Sequence, residues 1–308
     1  MAMRILVTGA AGFVGRALTR RLLAESRRPT VLAVDLTLPE GPADQRFVLL
    51  AGSITDPAVL ARIAVTPPDV IYHLASVPGG AAEADYARGA EANVVALLRF
   101  LQSAAGWPSR PRFVFASSIA VFGTDFPALV DDGTPARPAS TYGAQKRIGE
   151  ILLADLIRRG DLRGCSVRLP GIVCRPPQRN GAVSIFMSDL IRDLPAGREV
   201  ICPVPPEGTA WWMSIGCCVE NLLRAASVDL PTGVDAYTLP PLRASIGQMV
   251  DILARRHGEA VRSHLRYQPD PAVTRLFAAY PPVHLPAAEA AGFRSDHDLD
   301  ALLSSSDG

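Results

Sequence analysis

The sequence predicts an α/β protein: a doubly wound parallel sheet with helices on both faces, followed by a smaller C-terminal lobe. Three observations predict it. Over the first half, short β-rich runs alternate with longer amphipathic ones. The short runs are apolar throughout, as strands buried on both faces are. After about residue 175 the alternation loosens, and prolines gather at Pro176-Pro177, Pro205-Pro206, Pro240-Pro241 and Pro281-Pro282.

In order, the pattern predicts strands over residues 4–8, 30–35, 47–50, 70–74, 112–116 and 165–169. Between them it predicts helices over 12–26, 57–63, 83–105 and 140–159. In the lobe, helices are expected near 184–192, 214–226 and 245–257, with short strands at 236–239 and 265–268. Such a lobe lies over the carboxyl edge of the sheet, where doubly wound folds bind their ligands.

Composition narrows the function. Hydrophobic residues make up 48% of the 308 and charged residues 20%, which excludes a disordered or fibrous chain. A net charge of +1 supplies no field to steer the protein to nucleic acid or an anionic membrane. No uncharged run approaches the roughly 18 residues that a membrane span needs. Met1-Ala2-Met3-Arg4 leads straight into Ile5-Leu6-Val7, leaving no room for a signal peptide, so a soluble cytoplasmic protein is expected. Five cysteines without C-x-x-C spacing and five scattered histidines argue against a disulfide framework or a metal site.

Three motifs carry chemistry. Gly9, Gly12 and Gly15 follow the first strand with G-x-x-G-x-x-G spacing. Glycines there permit a tight strand-to-helix turn and close approach to a pyrophosphate, which the helix N-terminus attracts. Asp35 ends the second strand, 20 residues after Gly15, where a carboxylate accepts from ribose hydroxyls. Leu36 and Thr37 offer no cation for a 2′-phosphate, so NAD is favoured over NADP.

The second motif is Tyr142 with Lys146, i,i+4 neighbours on one helix face. A phenol is only about 0.1% ionised at pH 7. A cation about 4 Å away at an effective dielectric of 20 is worth about 4 kcal/mol, enough to make a usable base. Lys146 is the only lysine in the chain; the other 30 basic residues are arginines, which cannot replace a compact ammonium. The third motif, Ser117-Ser118-Ile119, ends the fifth strand, where a serine can orient a reacting oxygen.

Together these motifs resemble the extended short-chain dehydrogenase/reductase superfamily, the NAD-dependent epimerase/dehydratase group, over nearly the whole chain. His73-Leu74-Ala75, Asn93 and Pro170-Gly171 add to the likeness. The resemblance implies a Rossmann NAD-binding domain over 1–174 and a mainly substrate-binding lobe over 175–308, with segments near 214–240 returning to the sheet. It implies Ser118, Tyr142 and Lys146 as the catalytic triad, and Val121-Phe122-Gly123 selects Ser118 over Ser117. It places NAD against Gly9, Gly12, Phe13, Val14, Gly15, Asp35, Ser53, Ile54, Leu74, Ala75, Ser76, Asn93, Tyr142, Lys146, Pro170 and Ile172. Substrate would meet Ser76, Ser118, Ile119, Arg175 and Trp211, with Trp212 either core or contact. A homodimer through 83–105 and 140–159 is implied too. One departure is Ser53, where the superfamily usually has an aspartate.

Within the superfamily, stretches 117–123, 140–150, 168–173, 200–204 and 220–222 are similar to D-erythronate dehydrogenase-like enzymes. Those oxidise the C2 hydroxyl of a four-carbon sugar acid with NAD. Gly79-Gly80-Ala81-Ala82-Glu83 departs from them, since position 81 is usually acidic there and the segment is expected to face substrate. Two other readings compete. A nucleotide-sugar epimerase uses the same triad, but commonly has an asparagine where this chain reads Pro170-Gly171-Ile172-Val173. A non-catalytic nucleotide sensor typically lacks the tyrosine present here as Tyr142.

Overall fold

The computed structural model describes residues 3–37, 44–177, 183–231 and 233–305. The first half runs β1 (Arg4–Thr8), α1 (Phe13–Leu23), β2 (Thr30–Asp35), β3 (Phe47–Ala51), α2 (Pro57–Val65) and β4 (Val70–His73). It continues through α3 (Gly79–Ala84), α4 (Tyr86–Ala90), α5 (Ala96–Ala105), β5 (Arg112–Ser118), β6 (Val130–Asp131), α6 (Thr141–Arg158) and β7 (Arg163–Leu169). The second half holds β8 (Gly171–Val173), α7 (Phe186–Asp193), β9 (Val200–Cys202), β10 (Thr209–Ser214), α8 (Ile215–Ala225) and β11 (Tyr237–Thr238). β12 (Leu242–Ser245), α9 (Ile246–His257), β13 (Leu265–Tyr267), α10 (Pro271–Phe277) and β14 (Val283–His284) follow.

Seven parallel strands form the main sheet, in the order β11-β7-β5-β4-β1-β2-β3. Strand alternation divides its side chains between two cores. Ile5, Val7, Val31 and Val167 pack with Leu18 and Leu22 of α1 and Leu222 of α8. Leu6, Val34, Ile71 and Phe113 pack with α2, α5 and α6 on the other face. This is the doubly wound sheet that the alternating runs predict.

Smaller sheets build the rest. β10 lies between β8, parallel to it, and β12, antiparallel. β9 pairs with β13, and β6 with β14. Trp212, Met249, Leu253 and Phe186 share a separate core there.

The expected single helix over 83–105 is a correction. Asp85 breaks it at φ −137° and caps α4 by accepting from the Arg88 N–H. Between α4 and α5, Glu91–Val95 forms a π-helical turn that carries Asn93 inward.

Close packing of α6 on the sheet leaves no room at Gly149, where an added Cβ would come within 2.6 Å of Phe115 and 2.8 Å of Leu97. Gly149→Val is expected to cost about 1–3 kcal/mol. A urea titration reads this as a lower midpoint at unchanged slope; an unchanged midpoint contradicts it.

Candidate active site

Because every strand of the main sheet runs the same way, Thr8, Asp35, His73, Ser118 and Leu169 all end at one edge. β1 lies between β2 and β4, the point where the winding reverses and a crevice opens. Gly9 leaves β1 there with φ +69°, and a Cβ on it would come 2.6 Å from the Ala75 nitrogen. A Cβ on Gly15 would meet the Gly9 oxygen at 2.2 Å. Gly12 is the N-cap of α1 and no side chain caps the helix, so first-turn N–H donors at Phe13, Val14 and Gly15 are available to an anion.

Asp35 is anchored against that turn. One carboxylate oxygen accepts from the Ala11 N–H at 2.9 Å, the other from the Leu36 N–H at 2.7 Å. The Gly52 N–H donates to the Asp35 carbonyl, bringing Ser53 and buried Ile54 alongside. The Ser53 hydroxyl bonds Thr55 at 2.7 Å. Leu74 and Ala75 donate their N–H groups to Thr8. A dinucleotide fits these residues: a cradle that side chains would fill, an uncapped helix start, and an anchored carboxylate for ribose hydroxyls.

His73, beside this crevice, is a core residue. It bonds the Thr8 hydroxyl at 2.8 Å and stacks on Phe115. Burial, with the Lys146 charge adding to it, pushes its pKa down to about 3, so it stays neutral.

α6 brings the residues expected to react to the same edge. Ser140 caps it by accepting from the Gly143 N–H, and Tyr142 sits in its first turn. Ser118 accepts from the Ala120 N–H at 3.1 Å and opens onto a cavity shared with Tyr142. Ser117 faces the other way and donates to Glu150 at 2.6 Å.

Lys146 is 3% exposed; its ammonium donates to the Ala116 carbonyl at 2.8 Å and lies 5.5 Å from the Tyr142 ring centre. The sequence spacing predicts that Lys146 depresses the phenol's pKa. Burial wins instead and raises the Tyr142 pKa, against an opposing pull from the Arg175 cation and the Ser76 hydroxyl. Burial also pushes Lys146 down to about 7, while Glu150 pulls it upward.

The cavity measures about 360 Å³. Ser118, Ile119, Tyr142, Pro170, Arg175 and Trp211 line it, with Gly79, Gly80 and Glu83 of α3 on one side. Trp211 and Trp212 are both buried and alternate along β10: Trp211 walls the cavity and donates to the Pro281 carbonyl, whereas Trp212 packs into the lobe's own core and donates to the Ala244 carbonyl. Arg175 is fixed by its Nε, which donates to the Ile172 carbonyl at 3.2 Å. Burial lowers its pKa, and among the described residues no carboxylate pairs with it.

Some expected contacts fall elsewhere. Ile172 is 3% exposed in the sheet's core, and its carbonyl reaches the site through Arg175. Asn93 spends its amide on Val77, Gln145 and Ser76, and so positions the segment after β4. Ala81 and buried Ala82 do not line the cavity, because their segment is helical and only Gly79, Gly80 and Glu83 turn inward.

Residues 5–213 match the model of the NAD dependent epimerase/dehydratase family. The chain belongs to that family. It is an NAD-dependent enzyme of the short-chain dehydrogenase/reductase superfamily. It is 35% identical to D-erythronate dehydrogenase of Cupriavidus necator, over 98% of this chain and 97% of that one. It is 31% identical to D-erythronate dehydrogenase of Haemophilus influenzae, over 98% of each. Among solved structures, a nucleoside-diphosphate-sugar epimerase from Agrobacterium tumefaciens superposes with a TM-score of 0.89 at 31% identity, covering 98% of this chain and 92% of that one.

Several residues of this site were not legible in the sequence. Glu83 accepts from the Thr141 N–H and hydroxyl, and Phe277 and Tyr280 close the cavity from far along the chain. Glu150 had a signal: it lies one turn beyond Lys146, in line with Tyr142.

Asp35 is expected to make NADH bind at least about tenfold more tightly than NADPH, because a 2′-phosphate would abut its carboxylate. Fluorescence titration with each nucleotide measures this, and Asp35→Ala should narrow the gap. Equal affinities in the unaltered protein would remove Asp35 from this role.

Proposed function

We propose that this enzyme oxidises the secondary alcohol beside the carboxylate of a small polyhydroxylated acid, D-erythronate at C2 or a close analogue. The observation that carries this reading is Arg175: a half-buried guanidinium without a carboxylate partner among the described residues, facing the same cavity as Ser118 and Tyr142. The cavity's volume lies at the low end of the range for small-ligand sites. Both D-erythronate dehydrogenases that match over the full length support it.

In the proposed reaction, Arg175 receives the substrate carboxylate with charge-assisted hydrogen bonds. Ser118 donates to the alcohol oxygen and holds it toward Tyr142. Tyr142 accepts the hydroxyl proton as the alcohol carbon loses its hydride and becomes a ketone. When bound, NAD supplies the hydride acceptor; the Gly9–Gly15 turn, Asp35 and Lys146 would hold it. The Lys146 ammonium stabilises the phenolate through the low-dielectric interior.

An NADH assay with D-erythronate and other short hydroxy acids tests the reading, with UDP- and dTDP-hexoses in separate incubations. NADH formed with the acids supports it. A hexose epimer without net NADH, and no response to any acid, favours an epimerase, the activity named for the Agrobacterium structure. Tyr142→Phe should lower kcat at least about 10²-fold while NADH binding persists. Arg175→Met should lower kcat/KM for the acid at least about tenfold.

We also propose a homodimer. Tyr86, Leu98, Ile148 and Ile151 are exposed apolar residues on α4, α5 and α6. Sedimentation should show two chains, and Ile151→Arg should yield one; a monomeric unaltered protein overturns this.

A further inference from the structure

Beneath the reacting groups lies a buried charge that the reaction as described does not use. Glu150 is fully buried. Arg168 of β7 grips it with Nε and Nη2, each at 2.9 Å. Ser117 of β5 donates to it at 2.6 Å, and Arg147 at 3.1 Å. Arg147 also reaches Asp235 at 2.7 Å. These four donors join one helix to two adjacent strands, directly under the strand end that presents Ser118.

A structural clamp would need only the pair, and an apolar replacement of similar volume often serves stability as well or better. The position of the charge says more. Glu150 is i+4 from Lys146, so one helix stripe carries phenol, ammonium and carboxylate in order. Among the described residues, Lys146 otherwise has neutral company: the Ala116 carbonyl at 2.8 Å, and the Phe115 and Tyr142 rings at 4.9 and 5.5 Å. His73, across from it on β4, is neutral.

The remaining charged groups on elements packed against α6 are engaged elsewhere or, as Arg88 of α4 and Arg163 of β7, exposed to solvent. Glu83 binds Thr141, Asp85 caps α4, and Glu91 pairs with Arg99 at the surface. Arg112 of β5 pairs with Asp229. Arg175 acts on Tyr142 from the cavity.

We propose that Glu150 is a positioning residue whose buried carboxylate keeps Lys146 protonated beneath Tyr142. The inference rests on Tyr142 and Lys146 as the reacting pair, and is independent of which alcohol is oxidised. Burial alone drives Lys146 toward the neutral amine, a form that cannot stabilise a phenolate; Glu150 opposes that drive. Arg168 neutralises part of the carboxylate's charge and fixes its direction.

The test uses the full chain and needs neither cofactor nor substrate. Lys146 is the only lysine, so protein made with ¹³Cε-labelled lysine gives one lysine side-chain signal, whose shift titrates with pH. In Glu150→Gln the midpoint should fall by at least about one pH unit. A clamp with no electrostatic part gives the opposite sign. Loosened packing admits water and raises the midpoint toward that of an ordinary lysine. Should Glu150→Gln fail to fold, Glu150→Met with Arg168→Met removes the pair without leaving an unpaired charge, and a smaller fall in the same direction is expected, because the Arg168 cation goes too. A midpoint that is unchanged or raised in either folded variant overturns the proposal.

Discussion

The site depends on one close approach, that of α6 to the end of β5. A Cβ on Gly143 would come 2.3 Å from the Ala120 oxygen, and one on Gly149 would strike Phe115. These two glycines let the α6 backbone close on the end of β5 and on the segment that follows it. Only at that separation do Tyr142 and Ser118 share a cavity, and only there does the Lys146 ammonium meet the Ala116 carbonyl. The sheet contributes the other half of the constraint. Its uniform strand direction delivers the glycine turn, Asp35 and Ser118 to the same edge.

That proximity buries charge. Lys146, Glu150 and Arg168 are each less than a tenth exposed. Removing one partner of such a group typically costs about 3–5 kcal/mol, because the survivor is left unpaired in a medium that solvates it poorly. Full satisfaction offsets the desolvation: Glu150 accepts from three side chains, and Arg168 adds contact with the Phe122 ring at 5.0 Å. The same low dielectric that makes the arrangement costly lets charges act strongly on the phenol.

The first half was legible because its signals are long or chemically specific. β1 and β2 lie where apolar runs placed them, and α6 differs from its expected span by one residue at each end. The glycine spacing foresaw a backbone that no Cβ could join. The lobe was harder. β8, β9 and β12 have three or four residues each, too few to express a period, and β10 reads as a bare apolar run. The break at Asp85 was illegible for another reason: helical periodicity continues through it, and only the capping bond to Arg88 reveals it. Burial was the deeper gap. Spacing placed Lys146 near Tyr142, but a sequence carries no dielectric, and desolvation reverses the expected direction of the phenol's shift.

The cavity divides its labour by origin. Its hydroxyl groups come from the sheet edge and α6, where Ser118 and Tyr142 are held by capping bonds and strand ends. Its far wall comes from the lobe, as Trp211, Phe277 and Tyr280, with Trp211 and Tyr280 packed 4.8 Å apart. Between them Arg175 has its Nε committed to a backbone carbonyl, which fixes the guanidinium without neutralising it. Burial works against that cation, as the fall in its pKa records. An arriving carboxylate would lift this cost by pairing with it, so an anionic small molecule gains more from this cavity than a neutral one of equal size. Glu83, on the α3 side, has its carboxylate tied to Thr141 and so competes little for the guanidinium. The charge arrangement favours an anion, while α6 and β5 hold Tyr142 and Ser118 at fixed places on the same cavity.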